Sequence, residues 1–213
     1  MLRNSSLGEI LIIIPALLLA FTIHELSHGL TAYLLGDPTA KRDGRLSLNP
    51  IRHIDPFGLI LILVAGFGWA KPVMVQPSNL KNPKVDMAII AIMGPLSNFI
   101  MAFLSIMLFF ALYINVPNLP VYILNVVFHF SSLNVLLGVF NLLPIPPLDG
   151  SKVIVGILPD SVYRSLPPAG NYGMIILIIL MFTGVTSRII LPLIEAIHGA
   201  FVTIAIDIFR FFM

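Results

Sequence analysis

The sequence predicts an all-α polytopic membrane protein, and three observations carry that prediction. Of the 213 residues, 58% are hydrophobic and only 10% charged, with a mean hydropathy of +1.00, whereas a soluble domain carries roughly a quarter charged residues. Several apolar stretches reach the ~20 residues that a helix needs to cross a bilayer core. The basic residues gather between them: seven of the twelve Lys and Arg lie in 37–84. A soluble fold could not hide this much apolar surface, so the chain reads as a single transmembrane domain, 1–213. The absence of cysteine excludes disulfides, cysteine catalysis and thiolate ligands. A net charge of +2 with a pI near 9.0 reads as topology signals near a lipid bilayer, not as nucleic-acid binding.

Taken in order, the first span runs from about 8 to 35 and stops at Gly36-Asp37-Pro38. Its helical pattern continues past Ala20 into HELSHG, so it is a retained span and not a cleaved signal peptide. Residues 57–68 (FGLILILVAGFG) are apolar but too short to cross, which predicts a re-entrant or β-hairpin-like segment, or an interfacial one. The second full span covers about 86–115, Pro117 and Pro120 mark a turn, and the third covers about 121–143. Pro144, Pro146 and Pro147 then open a connection to residue 170. About two C-terminal spans follow over 171–213, the first of them short, with a break near Ser187-Arg188. There is no internal repeat.

Basic residues mark the cytoplasmic side. The 37–84 segment has seven, the 144–170 connection has Lys152 and Arg164, and the 116–120 turn has none. The N-terminus is therefore expected outside, with His24, His28 and Asp149 at similar depth on the cytoplasmic side.

Residues 24–28 read His-Glu-Leu-Ser-His. Helical residues i and i+4 share a face, so His24 and His28 can hold one zinc ion, while Glu25 is left to act on water as the catalytic base. An acid flanked by two histidines inside a span is costly and marks function. A catalytic zinc site takes three protein ligands and an open position. Asp149, in NLLPIPPLDG (141–150), is the favoured third ligand, because proline-broken backbone at membrane depth belongs where protein buries it or water reaches it. Its rivals are Glu195 and His198, expected nearer the outer face, Asp207, expected nearer the cytoplasmic side, and His129, expected toward the outside. The same ligands also fit cobalt or iron.

These residues resemble the site-2 protease family of intramembrane metalloproteases, from about residue 20 to about 152. HELSHG (24–29) is similar to the family's His-Glu-x-x-His helix, and GRLSLNPIRHIDPFG (44–58) to the segment after it. GWAKPV (68–73), GPLSN (94–98) and NLLPIPPLDG (141–150) follow in the family's order. The resemblance implies a three-helix catalytic core within about 8–152, Zn2+ held by His24, His28 and Asp149, and Glu25 as base. It also implies that Asn98 and Asn141 line the site, as oxyanion or substrate contacts. The chain resembles a minimal form, without the extra leading span, PDZ domain or CBS domain of other members.

The expected reaction is peptide hydrolysis in the transmembrane helices of membrane-protein substrates, in a prokaryotic cytoplasmic membrane. A substrate helix must unwind to be cut, and the 57–75 region is expected to pair with it by strand addition. Gly66, Gly68 and Gly94 are expected to permit close backbone approach or tight turns. Trp69 and Lys71 read as interface anchors, and His53 and Asp55 as structural. Metal transport is the competing function, but transporters usually show repeats and several polar spans. A catalytically dead scaffold would not need Glu25, and a prenyl-protein-processing enzyme would take Glu as its third ligand.

Overall fold

The structure, a computed structural model, describes residues 7–65, 68–163 and 172–212. Their helices are α1 (Leu7–Leu34), α2 (Thr39–Arg42), α3 (Pro56–Ala65), α4 (Pro83–Asn115), α5 (Val121–Asn141), α6 (Asp149–Ile157), α7 (Asp160–Tyr163), α8 (Tyr172–Phe182) and α9 (Val185–Phe212). Four segments among the described residues are long and apolar enough to cross a membrane: Ile13–Leu34, Pro83–Asn115, Val121–Asn141 and Arg188–Phe212. Burial fits a lipid solvent. Leu19, Leu104, Leu108 and Ile189 are exposed, while Thr22, Asn98, Ser131 and Asn134 are buried. Small and polar groups pack between helices, and large apolar ones face outward.

Helix α1 ends where the sequence says it should. Gly36 takes φ 108°, its N–H bonds to the Tyr33 carbonyl at 3.2 Å, and Asp37 N–H bonds to the Ala32 carbonyl at 2.9 Å. This is a glycine-closed helix end of the Schellman type.

Residues 56–65 form helix α3 and not a hairpin arm. Asp55 Oδ1 accepts from the N–H groups of Phe57 (2.9 Å) and Gly58 (3.0 Å), and Pro56 occupies the position where a missing N–H costs nothing. The chain then returns against α3, with Ile54 and Ala70 in an isolated antiparallel bridge. A Cβ on Gly58 would lie 2.0 Å from the Trp69 carbonyl oxygen, and one on Gly68 would lie 2.1 Å from the Gly58 carbonyl oxygen. The two glycines permit this contact. Gly66 lies outside the described residues, as does Arg164.

The C-terminus departs from expectation. The break falls at Gly184 (φ 72°), and helix α9 runs unbroken through Ser187 and Arg188. Helix α8 has eleven residues, about 16 Å of helix against a hydrocarbon core of about 30 Å. Of the two C-terminal stretches, α9 alone has the length to span, and the direction of α9 follows from that. Ile190 packs in one cluster with Leu143 and Leu148, Phe201 meets Phe103 at 5.5 Å, and Phe209 meets Phe110 at 6.1 Å. Helix α9 therefore runs parallel to α4 and antiparallel to α5. Asp207, expected on the side of His24, sits at the opposite end of the bundle.

Candidate metal centre

Two four-residue stripes build the centre. Ala20, His24, His28 and Ala32 follow one another along α1, and Ile90, Gly94, Asn98 and Ala102 along α4. Residues at this spacing share a helix face, and the helices pack antiparallel. Asn98 Nδ2 reaches the Ala20 carbonyl at 3.4 Å, and Ala32 packs with Ile90. Gly94 lies where the two imidazoles need room. A Cβ there would sit 2.3 Å from His28 Nε2 and 2.7 Å from His24 Cε1.

Asp149 arrives from α6. Its neighbour Gly150 packs so closely that a Cβ would lie 2.1 Å from the Leu142 carbonyl oxygen at the end of α5, and Gly156 packs α6 against Ala88 of α4. Asp149 Oδ2 then lies 3.2 Å from His24 Nε2 and 3.0 Å from His28 Nε2, and the two Nε2 atoms are 3.0 Å apart. All three side chains are buried. The outer ring nitrogens also have partners: His24 Nδ1 meets Asn98 Oδ1 at 2.6 Å, and His28 Nδ1 meets the Ile90 carbonyl at 2.7 Å.

This donor set suits a zinc ion. Two ligands at about 2.0–2.1 Å from zinc, at the tetrahedral angle, lie about 3.3 Å apart. With both Nδ1 atoms facing acceptors, both Nε2 lone pairs turn inward toward a carboxylate oxygen. Three acceptors at this separation call for a cation between them. Among the described residues, these three form the group of His, Asp and Glu side chains close enough to hold a metal ion.

Glu25 stands beside the centre and is tied to a different group. Its Oε2 accepts from the Val73 N–H at 2.8 Å. Val73 lies in a non-helical connecting run, 71–76, which is fastened at both ends. At one end, Lys71 N–H bonds to the His53 carbonyl at 2.9 Å, and buried Arg45 donates to the carbonyls of Arg52 and Lys71. At the other end, Asp37 accepts from Gln76 N–H (2.7 Å), Asn79 Nδ2 (2.7 Å) and Thr39 N–H (3.1 Å). Burial works to raise the Asp37 pKa, but the donors of Thr39, Asn79 and Gln76 outweigh it and hold the carboxyl below its ordinary value.

Asn98 and Asn141, paired in the sequence reading, occupy different settings. Asn98 is buried against His24, and its amide donates to Asn134 Oδ1 at 2.9 Å and to Ala20. Asn141 donates to the Leu137 carbonyl of its own helix at 3.0 Å. The rival ligands lie elsewhere. His198 contacts Ser131 (3.2 Å), His129 bonds to the Asn125 carbonyl, and Glu195 is exposed. Sequence reasoning missed Val73, Ile90 and Asn134. Two of the three act through backbone groups, which carry no residue signature. Asn134 had one available signal, a polar side chain in an apolar span.

The sequence model of Peptidase family M50 matches residues 117–185, a stretch that includes Asn141 and Asp149. The chain is 42% identical over 188 residues to a Bacillus subtilis (strain 168) protein named "Putative zinc metalloprotease YwhC", with 86% of each chain covered. It is 29% identical over 189 residues to "Putative zinc metalloprotease Rip2" of Mycolicibacterium smegmatis, covering 86% of this chain and 71% of that one. It is 28% identical over 177 residues to a protein of the same name from Mycobacterium tuberculosis (strain H37Rv), covering 81% and 67%. No solved structure matches the chain.

Proposed function

This chain belongs to peptidase family M50, the site-2 proteases, and from that membership we propose that it is an intramembrane zinc metalloprotease acting on membrane-protein substrates. It is one transmembrane protease domain, and it cuts peptide bonds in or near substrate transmembrane helices. The observation that carries the reading is the convergence of His24 Nε2, His28 Nε2 and Asp149 Oδ2 within 3.2 Å of one another, with Glu25 adjacent and outside that set.

His24, His28 and Asp149 would hold the zinc ion, which would supply Lewis-acid polarisation of a carbonyl and a lowered pKa, about 7, for water. Glu25 takes the proton from the attacking water and passes it to the leaving amine. The Val73 N–H holds one carboxylate oxygen of Glu25 and leaves the other for that proton. The amide donors of Asn98 are directed to Asn134 and Ala20, so its role is to orient His24. An amide carries two N–H donors. Asn141 spends one on Leu137 and has a second to offer a developing oxyanion.

An unwound substrate needs an extended partner. Helix α3 removes 57–65 from that role, which falls to the non-helical run 71–76. Lys71 and Val73 bond inward. Met74 is exposed, and a substrate strand added along this run would lie on that exposed side. The 37–84 segment, with its seven basic residues, joins α1 and α4 at the metal-centre end. By the charge rule that end faces the cytoplasm of a prokaryotic cell.

Purified wild type, His28→Ala and Asp149→Ala in detergent micelles test the centre. The expected result is about one zinc per wild-type chain, with zinc and cleavage of a single-span substrate lost together in both variants. Variants that retain one zinc per chain would place the metal elsewhere.

A further inference from the structure

We propose that Asn134 is a positioning residue that fixes which nitrogen of His24 faces the metal, through a one-way chain of hydrogen bonds across three helices. The proposal rests on the reading of His24 as a zinc ligand.

The chain starts at a backbone carbonyl. Asn134 is buried in α5, and its Nδ2 donates to the Phe130 carbonyl at 2.9 Å. A carbonyl oxygen only accepts, so the amide end of Asn134 facing it must be the NH2. That leaves Asn134 Oδ1 turned toward α4, where it accepts from Asn98 Nδ2 at 2.9 Å. The same Nδ2 also reaches the Ala20 carbonyl, at a longer 3.4 Å, so Asn98 presents Oδ1 to α1, where it meets His24 Nδ1 at 2.6 Å. An amide oxygen also only accepts, so Nδ1 of His24 carries the hydrogen and Nε2 keeps its lone pair. Nε2 is the atom that faces His28 and Asp149.

Reversing any single amide sets two acceptors against each other. A flipped Asn98 would put its oxygen against Asn134 Oδ1, and flipping Asn134 as well would put that oxygen against the Phe130 carbonyl. Both amides are buried in apolar helices, so no bulk water can satisfy the wrong arrangement. The polarity set at Phe130 thus reaches His24 two side chains away. His28 needs no such chain, because its Nδ1 meets the Ile90 carbonyl directly. Of the two histidines, only His24 depends on side chains whose two ends look alike in shape but differ in polarity.

The test uses the full chain in detergent, with three variants beside wild type. Asn134→Leu keeps the size of the side chain and removes both polar ends, and Asn134→Ala serves the same comparison should the leucine variant not fold. Asn98→Asp is made alone and on the Asn134→Leu background, because a carboxylate has no donor end to turn the wrong way and holds Nδ1–H whatever Asn134 does. Two readouts are taken: zinc affinity by chelator competition, and the ring-nitrogen tautomer of His24 by nitrogen-15 NMR on the metal-free protein. Asn134→Leu is expected to weaken zinc binding at least about tenfold and to give His24 a mixture of tautomers. Adding Asn98→Asp is expected to restore both. An Asn134→Leu chain with wild-type affinity and a single Nδ1–H tautomer overturns the proposal. So does a loss that Asn98→Asp fails to restore, since the cause is then packing. If wild type itself binds no zinc, the reading of the metal centre fails, a result distinct from either.

Discussion

The backbone N–H of Val73 lies 2.8 Å from the Oε2 of Glu25 and donates to it. This ties the proposed base to the non-helical segment, 71–76, proposed to hold substrate. A substrate strand laid along 71–76 would thereby be brought to the side chain proposed to pass a proton to its leaving group. Replacing Val73 with proline removes that donor and leaves His24, His28 and Asp149 untouched. Val73→Pro is expected to lower kcat/KM about tenfold or more, as loss of a charge-assisted hydrogen bond implies, with zinc content unchanged. Equal loss of zinc and activity would show that the contact is structural.

Gly94 is the position where the smallest change does the most damage. A methyl group there would lie 2.3 Å from His28 Nε2, well inside contact distance of a proposed metal ligand. Gly94→Ala is expected to weaken zinc binding about a hundredfold, the upper end for disturbance of a ligand's surroundings. Chelator competition measures it. A variant with wild-type affinity would mean that α1 and α4 separate without cost.

Asp37 fastens the far end of the 71–76 segment. Asp37→Ala leaves the Gln76 and Asn79 donors without their buried acceptor, at a cost of roughly 3 kcal/mol. The expected outcome is a lower Tm together with faster proteolysis within 71–79. An unchanged cleavage pattern in that stretch would show that the segment is held by other contacts.

His53 supplies a pH dependence. Its Nε2 donates to the Ser47 carbonyl at 2.8 Å, and its Nδ1 has no hydrogen-bond partner among the described residues. Burial, joined by the positive charges of Arg45 and Arg52, pushes its pKa below the ordinary value of 6.5, against the pull of Ser47 and Glu25. A lowered pKa means that the unfolded chain binds this proton first. The stability linked to His53 is therefore complete above pH 6.5 and is lost as pH falls through the folded-state pKa. Wild type is expected to lose more thermal stability than His53→Gln between pH 7.5 and pH 5. Parallel losses would remove His53 from the account.

Much of this was legible in the sequence because lipid imposes length and composition on a span. The bounds of α1, α4 and α5 follow from apolar runs closed by Gly36, Pro83 and Pro120. The pairing of His24 with His28 follows from helical spacing, and Asp149 from the proline-broken run before it. The direction of α9 was not legible, since it depends on whether a short apolar stretch crosses the bilayer. Helix α8 lacks the length, so α9 starts at the end of the bundle where a two-span reading would have ended it. Helix α3 was hidden for a related reason. A ten-residue apolar run does not distinguish helix from strand, and the deciding signal was the Asp55-Pro56 cap. Asn98 could be singled out by its motif, but its role could not. Only its partners, His24 on one side and Asn134 on the other, show which way its amide is turned.

The role of Glu25 is tested most directly by comparing wild type with Glu25→Gln in liposomes, scoring cleavage of a single-span substrate and zinc content in the same samples. The substitution keeps the shape of the side chain and an acceptor for the Val73 N–H while removing the base. With Glu25 as the base, both proteins hold one zinc per chain and wild type alone cleaves. Equal cleavage by the two would contradict that role, because proton transfer could then not pass through Glu25.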